Sequence, residues 1–314
     1  MSTRTISLIG ATGAQGSGAV AALLAKDPSF VVRAISSNPS GERAQVLINK
    51  HREAVDAGRL TVVKGDLNDQ ASLEDALKGS EGVFAAFPDS LEQVEQGKKL
   101  VDAAKAVNIQ HFVYSTLPSV KEITGGKYTQ VHIFDHKVQV AEYAKQQLDT
   151  VTFIVAGAFY TNLSDAFYVK REDGIVKFVV PFDPAGKYQW VDERYDNGVF
   201  VAAIFSAPRS VTKGKTYPVM GQPLTMAEFA AEYEAATGEK AVAAPADLDE
   251  ALKVMPPAWL GMMREMHLFL NEMPPEKFCY GSMSPEEDTS FQDLGVKAST
   301  LTEYIQRTGF KVAA

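Results

Sequence analysis

Cysteine is almost absent: Cys279 is the one thiol in 314 residues. A lone thiol cannot close an internal disulfide or build a Cys-rich metal site, and its isolation suits a reducing compartment. Long apolar runs are missing too. No stretch approaches the roughly 18 apolar residues of a membrane span, and the start, MSTRTISLIG, turns straight into a strand-like run instead of a signal-peptide hydrophobic region. The expectation is a cytoplasmic chain with no membrane attachment. Positive charge is in deficit, with 31 Lys and Arg against 39 Asp and Glu for a net charge of −8. The cations are also scattered, whereas a phosphate backbone needs a concentrated basic surface, so direct nucleic-acid binding is disfavoured as the main task. No fixed-period repeat and no low-complexity tract occurs. With 46% hydrophobic and 22% charged residues, the chain has the balance of a globular protein, sized for one large or two small domains.

What is present is an alternation. Apolar runs rich in β-branched and aromatic residues at 5–9, 30–35, 60–63, 82–87, 111–114 and 150–155 read as strands. Stretches with helical spacing separate them: 14–26, stopped by Asp27-Pro28, then 42–55, 71–77, 91–107 and 130–147. Parallel strands need such long crossovers, and their helices cover both faces of the sheet. The fold class expected is therefore α/β: a doubly wound parallel sheet over 1–155. After 155 the rhythm breaks at 170–174, 181–186 and the Met-rich 255–275. An extra strand at 216–220 and a helix at 225–237, with Thr225 as N-cap and Gly238 past its end, still stand out. Part of 190–222 is thus expected to join the sheet, leaving 156–314 as a smaller, discontinuous C-terminal α/β lobe.

The first strand leads into Gly10-Ala11-Thr12-Gly13-Ala14-Gln15-Gly16 and then a helix. In a Rossmann turn of this kind the first Gly permits a tight bend, the second lets backbone N–H groups approach a pyrophosphate at the helix N-terminus, and the third allows close helix–strand packing. Gly10, Thr12, Gly13, Ala14, Gln15 and Gly16 are the expected dinucleotide contacts. An NAD site places an acid about 20 residues on, at the end of the second strand. Ser36-Ser37-Asn38 stands there instead, with Arg33, Arg43 or Lys50 as candidate sources of charge, so NADP(H) is favoured over NAD(H). Asp66, after the third strand, either lines the adenine side with Leu67 or N-caps the helix beginning near Gln70. Ala86 and Phe87, closing the fourth run, complete this part of the expected site.

These residues carry a resemblance. GATGAQG, the Gly65-Asp66-Leu67 turn, Phe134-Asp135-His136-Lys137 and Gly157-Ala158-Phe159-Tyr160-Thr161-Asn162, followed by Asp288 and Thr300-Leu301-Thr302-Glu303-Tyr304, together resemble the NmrA-like branch of the atypical short-chain dehydrogenase/reductases. That branch includes NADP(H)-dependent reductases and also NADP(H)-binding proteins that act as redox sensors or transcriptional co-regulators. The resemblance implies that Lys137 holds the nicotinamide ribose, that Ser115 or Thr116 orients a substrate carbonyl, and that Phe159, Tyr160 and Asn162 close over the nicotinamide.

Two departures from the pattern stand out. Short-chain dehydrogenases use Tyr-x-x-x-Lys, and the position four before Lys137 is Ile133. His132, one residue off, is rotated by about 100° on a helix and cannot inherit the place. Ser37 stands where several NADP-binding relatives have Arg. His132 and His136 have the i,i+4 spacing of metal-ligating imidazoles, but no Glu follows His132 and no Cys is nearby, so no metal is expected. Met255, Trp259, Leu260, Met262, Met263, Met266, Phe269 and Met273 form either lobe packing or an apolar wall of the substrate pocket.

The functional expectation is an NADP(H)-dependent oxidoreductase acting on a small apolar or conjugated molecule, a quinone, enone, imine or carbonyl. Lys137 with Ser115, Thr116, Tyr160 or water would complete proton donation. The alternative is an NADP(H)-sensing regulator that binds a protein partner, in the cytoplasm or the nucleus. A monomer or a homodimer fits either reading.

Overall fold

The computed structural model describes residues 3–87, 90, 92–165, 167–179, 181–274 and 276–313. Its strands are β1 (Arg4–Ile9), β2 (Phe30–Ser36), β3 (Leu60–Lys64), β4 (Gly82–Ala85), β5 (His111–Thr116), β6 (Val151–Ala156), β7 (Ala158–Phe159), β8 (Val169–Glu172), β9 (Ile175–Phe178), β10 (Trp190–Val191), β11 (Thr216–Val219) and β12 (Ala241–Ala243). The helices are α1 (Ala14–Lys26), α2 (Glu42–Lys50), α3 (Arg52–Asp56), α4 (Gln70–Leu77), α5 (Gln93–Ala106), α6 (Val120–Ile123), α7 (His132–Gln147), α8 (Tyr195–Ser206), α9 (Arg209–Thr212), α10 (Met226–Thr237), α11 (Leu248–Leu252), α12 (Leu260–Asn271), α13 (Ser290–Leu294) and α14 (Leu301–Thr308). None is long and apolar enough to cross a membrane.

The main sheet runs β11-β6-β5-β4-β1-β2-β3, all parallel. Chain order reverses between β1 and β4, and such a switch opens a crevice beyond the strand C-termini where ligands bind. β4 and β5 are buried throughout, as a sheet covered on both faces requires. One face packs Ile6, Leu8 and Ile154 against Val20 and Leu23 of α1 and Phe200 and Ile204 of α8. The other packs Ile9, Val83 and Phe112 against Leu73 of α4, Leu100 of α5 and Val140 of α7.

Outside this sheet, β7 pairs with β10, and β8, β9 and β12 form a second small sheet. Tyr160, Phe178, Trp190, Phe229 and Tyr233 build the core beside them. The Met-rich segment is mostly α12. Met263 sits with Phe167 and Leu252, with Met255, Met262 and Met266 against them, while Phe269 meets Phe134 of α7. Packing is therefore what most of these methionines do, although Met273 also borders a cavity of about 40 Å³ with Ala158 and Tyr280.

Several boundaries differ from the sequence expectation. The helix expected over 42–55 breaks at His51, whose ψ of 35° leaves the helical range and separates α2 from α3. The strand expected to Phe87 ends at Ala85, where the chain turns toward β1. Leu91, expected to open a helix, lies outside the described residues, and α5 begins at Gln93. The stretch 170–174, read as an interruption, is a β8–β9 hairpin: Asp173 and Gly174 adopt φ of 51° and 76°, the paired positive values of a two-residue turn.

α1 and α8 cross at glycines. A Cβ on Gly18 would lie 1.6 Å from the Arg194 carbonyl oxygen, and one on Gly198 would lie 2.4 Å from that of Gly18. Backbone cannot yield as a flexible side chain does, so Gly18→Val should lower the unfolding free energy by at least about 3 kcal/mol. Urea denaturation checks this, and a variant within about 1 kcal/mol of wild type contradicts it.

Candidate functional site

The turn after β1 is shaped by contacts that only glycine permits. Gly10 has φ of 76°, and a Cβ there would stand 1.8 Å from the Ala86 carbonyl oxygen. A Cβ on Gly16, in the first turn of α1, would meet the Gly10 carbonyl oxygen at 2.2 Å. Between them, the Gly13 N–H donates to the Gly10 carbonyl, and the Ser17 N–H to the Gly13 carbonyl, both at 2.9 Å. Gly13 is the N-cap of α1, with no side-chain cap and no acid in the first turn. The N–H groups of Ala14, Gln15 and Gly16 thus have no i−4 helical acceptor and sit at the positive end of the helix dipole. Gln15 Oε1 is buried without a hydrogen-bond partner among the described residues. A cradle of bare N–H groups with an orphaned acceptor fits a phosphate flanked by a hydroxyl donor. Thr12 is half-buried in the same turn.

At the end of β2 there is no carboxylate. The Asn38 N–H donates to Ser36 Oγ (3.1 Å), Ser40 Oγ to Asn38 Oδ1 (3.2 Å), and Ser37 is exposed. Of the three candidate cations, two are corrected. Arg33 is committed elsewhere: its Nη1 donates to the carbonyls of Ala76 (3.0 Å) and Lys78 (2.7 Å) at the C-terminus of α4. Lys50 closes α2 and lines a groove with Lys26 of α1. Arg43 remains, exposed in the first turn of α2 just beyond Asn38. The alternatives left open for Asp66 also divide. Asp69, not Asp66, caps α4 by accepting from the Ser72 N–H (3.2 Å), while Asp66 Oδ1 accepts from the Asn68 N–H (2.9 Å) and folds the turn before it. Leu67 packs partly against the α4–α5 face.

Beyond the switch point, Ala86 leans over Gly10, and Phe87 is buried with its ring 5.8 Å from that of Tyr114. Ser115 and Thr116 end β5, both buried, with Thr116 Oγ1 donating to the Leu117 carbonyl at 3.3 Å. Lys137 lies half-buried in the second turn of α7. Ile133, at the tyrosine position, lies partly buried against the cluster that contains Val131, Phe134 and Phe269. The rings of His132 and His136 stack at 5.5 Å. Among the described residues no group of three or more His, Cys, Asp or Glu could hold a metal.

The start of α7 is held by the Met-rich helix. Glu265 of α12 accepts from the N–H groups of Thr129 (2.7 Å) and Gln130 (2.6 Å) and from Gln130 Nε2 (2.8 Å). Glu272 accepts from Lys127 Nζ (2.7 Å) and the Tyr128 hydroxyl (2.8 Å). Burial alone pushes the Glu265 carboxyl up, but together the hydrogen bonds from Gln130 and Thr129 outweigh it and hold Glu265 below the usual carboxylate range.

The loop after β6 splits the expected group. Phe159 and Asn162 are half-buried, but Tyr160 is a correction. Its ring stacks on Tyr304 at 4.7 Å, and its hydroxyl donates to the Ser299 carbonyl at 3.4 Å, inside the core of the second lobe. Burial raises its pKa far above the ordinary tyrosine value, and its hydroxyl is spent on the Ser299 carbonyl.

Behind this loop lie acids that the sequence reading passed over. Thr161 Oγ1 donates to Glu193 Oε1 at 2.8 Å. Asp192 Oδ1 accepts from the N–H groups of Arg194 (3.1 Å) and Tyr195 (2.9 Å), and its Oδ2 pairs with Arg307 at 2.8 Å. Asp196 accepts from Ser299 Oγ (2.6 Å), the Ser299 N–H (3.0 Å) and the Asp192 N–H (3.0 Å). Burial still dominates at Asp196 and pushes it up to about 6, against the hydrogen bonds that pull it down. In sequence, Asp192-Glu193-Arg194-Tyr195-Asp196 looks like a solvated charge run; its one signal is its place directly after a strand.

A glycine-lined, uncapped helix N-terminus at the switch point of a doubly wound parallel sheet is the architecture of a dinucleotide-binding protein. A family model described as the NmrA-like family matches residues 2–305, and the chain belongs to that family. It is 31% identical over 259 residues to an NmrA-like family domain-containing oxidoreductase of Aspergillus hancockii, covering 76% of this chain and 74% of that one. Among solved structures it resembles NmrA, a negative transcriptional regulator, in complex with NADP, with a TM-score of 0.80 at 23% identity over 98% of this chain and 96% of that one. The same regulator in complex with NAD matches with a TM-score of 0.81 at the same identity and coverage. An NADPH-dependent quinone oxidoreductase of Escherichia coli complexed with NADPH matches with a TM-score of 0.71 at 20% identity over 97% of this chain and 100% of that one.

The Asp196 network makes stability depend on pH. Unfolded, this carboxyl titrates near 3.8; folded, near 6. The folded chain holds the proton more tightly, so the stability this group contributes is complete below about pH 4 and is lost as pH rises through 6. Asp196→Asn removes that slope. The wild-type unfolding free energy minus that of the variant should fall by roughly 2–3 kcal/mol between pH 4 and 7 in urea denaturation. A difference that does not change with pH contradicts the assignment.

Proposed function

We propose that this chain is an NADP(H)-dependent oxidoreductase that reduces a small apolar or conjugated acceptor, a quinone, enone, imine or carbonyl. The observation that carries this reading is the open N-terminus of α1, bare of side-chain cap and acid, with Gln15 Oε1 left unpaired beside it. Family membership and the nicotinamide cofactors bound in the solved relatives support it. The preference for NADP(H) rests on Ser36-Ser37-Asn38, which offers hydroxyls and amides without like-charge repulsion, and on Arg43 beyond it.

When bound, the reduced nicotinamide supplies a hydride to the acceptor. The chain's own residues bind, orient and exclude water. The N–H groups of Ala14 and Gln15 hold the pyrophosphate, and the backbone beside Ala86 and Phe87 and the polar Asn162 bracket the rest. Lys137 holds the nicotinamide ribose and keeps a proton source beside the acceptor oxygen or nitrogen. Ser115 or Thr116, or a water held by one of them, orients the acceptor and passes the proton.

One observation favours a second reading, an NADP(H)-sensing regulator with a protein partner: Ile133 puts an apolar side chain, partly buried against the cluster of Phe134 and Phe269, where a reductase of the wider superfamily has its phenol. The similarity to a negative transcriptional regulator points the same way. The experiment that separates the two follows NADPH absorbance with a panel of quinones, enones, imines and aldehydes. The oxidoreductase reading expects turnover on at least one acceptor, with Lys137→Ala lowering kcat by about a hundredfold or more. Saturable NADPH binding without turnover on any acceptor contradicts it and leaves the regulator. Independently, Arg43→Ala should weaken NADPH binding about tenfold and leave NADH binding unchanged in fluorescence titrations. Equal losses for both cofactors contradict the role given to Arg43.

A further inference from the structure

Between α12 and α13, three consecutive residues lie in the left-handed region: Cys279, Tyr280 and Gly281, with φ of 55°, 57° and 77°. Glycine adopts that conformation freely, whereas a residue with a Cβ is held there only where its surroundings over-determine it. Here they do. Gln189 Oε1 accepts from the Cys279 N–H at 3.0 Å, Ser282 Oγ donates to the Cys279 carbonyl at 2.6 Å, and Phe278 and Met283 exchange N–H bonds across the turn at 3.0 and 3.3 Å.

What this turn delivers is the Tyr280 side chain. Its hydroxyl donates at 2.9 Å to the carbonyl of Ala156, the last residue of β6, and its ring meets that of Phe134 edge to face, with centroids 5.0 Å apart and an interplanar angle of 85°. Phe134 stands three residues before Lys137 on α7, and Ala156 stands directly before the loop 157–162. One side chain thus joins the two elements that carry the expected grips on the nicotinamide, Lys137 on one and Phe159 and Asn162 on the other. Gln189 adds a second tie: besides holding the turn at Cys279, its carbonyl accepts from the Ala158 N–H at 3.0 Å. The one proton of the Tyr280 hydroxyl is committed to the Ala156 carbonyl, so Tyr280 does not replace the phenol missing at Ile133.

We infer that Tyr280 is a positioning residue for the nicotinamide: by clamping Phe134 of α7 to the end of β6 it fixes the spacing between Lys137 and the loop 157–162. This rests on the proposed placement of the nicotinamide beside Lys137. The adenosine half of the dinucleotide is assigned to the turn between β1 and α1 and to the end of β2, elements with no part in these contacts. Losing the clamp therefore loosens one end of the dinucleotide and leaves the other as it was.

The test compares two ligands on the full chain with no acceptor present, so it does not depend on turnover. NADPH is followed by its nicotinamide emission and emission anisotropy, and 2′-phospho-ADP-ribose, the same molecule without the nicotinamide, by calorimetry. Tyr280→Phe keeps the ring and removes the hydroxyl. It should weaken NADPH binding about three- to tenfold and lower the anisotropy of NADPH at saturation, while 2′-phospho-ADP-ribose binds within about twofold of wild type. Should that variant fail to fold, Gln189→Leu, which frees the turn at Cys279 and leaves Tyr280 in place, is read in the same way. Equal weakening of both ligands, or NADPH affinity and anisotropy that do not change, overturns the inference and leaves the dinucleotide site standing. A wild-type chain that binds neither ligand contradicts the dinucleotide site itself, and the inference with it.

Discussion

The approach of the Ala86 carbonyl to the Cα of Gly10 is the constraint on which the rest of the site depends. It brings the end of β1 under the segment leaving β4, at the point where strand order reverses, and leaves no room for a side chain. Gly16 then seats the first turn of α1 on the Gly10 carbonyl, so the helix axis points into the crevice with its first N–H groups unclaimed. An acidic chain that is to hold a polyanion must do so this way, with oriented backbone and a few placed cations, because its overall field is repulsive.

Besides β11 in the sheet and α8 against α1, two groups of polar contacts among the described residues tie the second half of the chain to that frame. Glu265 of α12 and Glu272 just past its end hold the segment that enters α7, the helix carrying Lys137. On the other side, Asp196 binds Ser299 while Asp192 binds Arg307, joining the start of α8 to the segment around α14. Charge-assisted hydrogen bonds fix geometry more sharply than apolar packing does, so the two anchors set where the cover sits over the strand ends. Apolar contacts such as Phe134 against Phe269 fill the space between them.

Much of the sheet was legible because burial on both faces leaves strands as short apolar runs, and crossover helices have their own period. The glycine turn was legible because each glycine answers a steric demand. Other features were not. The break at His51 carries no Gly or Pro, so periodicity runs straight through it. Asp66 and Asp69 are both plausible caps by type, and only the position of the Ser72 N–H separates them. The β8–β9 hairpin did carry a signal, Asp173-Gly174 between β-compatible residues, and was passed over. Tyr160 shows the limit of reading by resemblance: the loop is where it was expected, but which side of it faces the lobe core is decided by Tyr304, more than a hundred residues away. Glu193 was invisible for a related reason, since its burial depends on α14 and the loop after β6 arriving from distant parts of the chain.

The central claim is that the turn between β1 and α1 holds the pyrophosphate of a nicotinamide dinucleotide whose reactive end lies beside Lys137. The most direct measurement is a crystal structure of the chain soaked with NADPH. The account predicts pyrophosphate oxygens within hydrogen-bonding distance of the Ala14 and Gln15 N–H groups, and Lys137 Nζ against the nicotinamide ribose. A dinucleotide bound elsewhere, or bound in this turn with its nicotinamide away from α7, would contradict it.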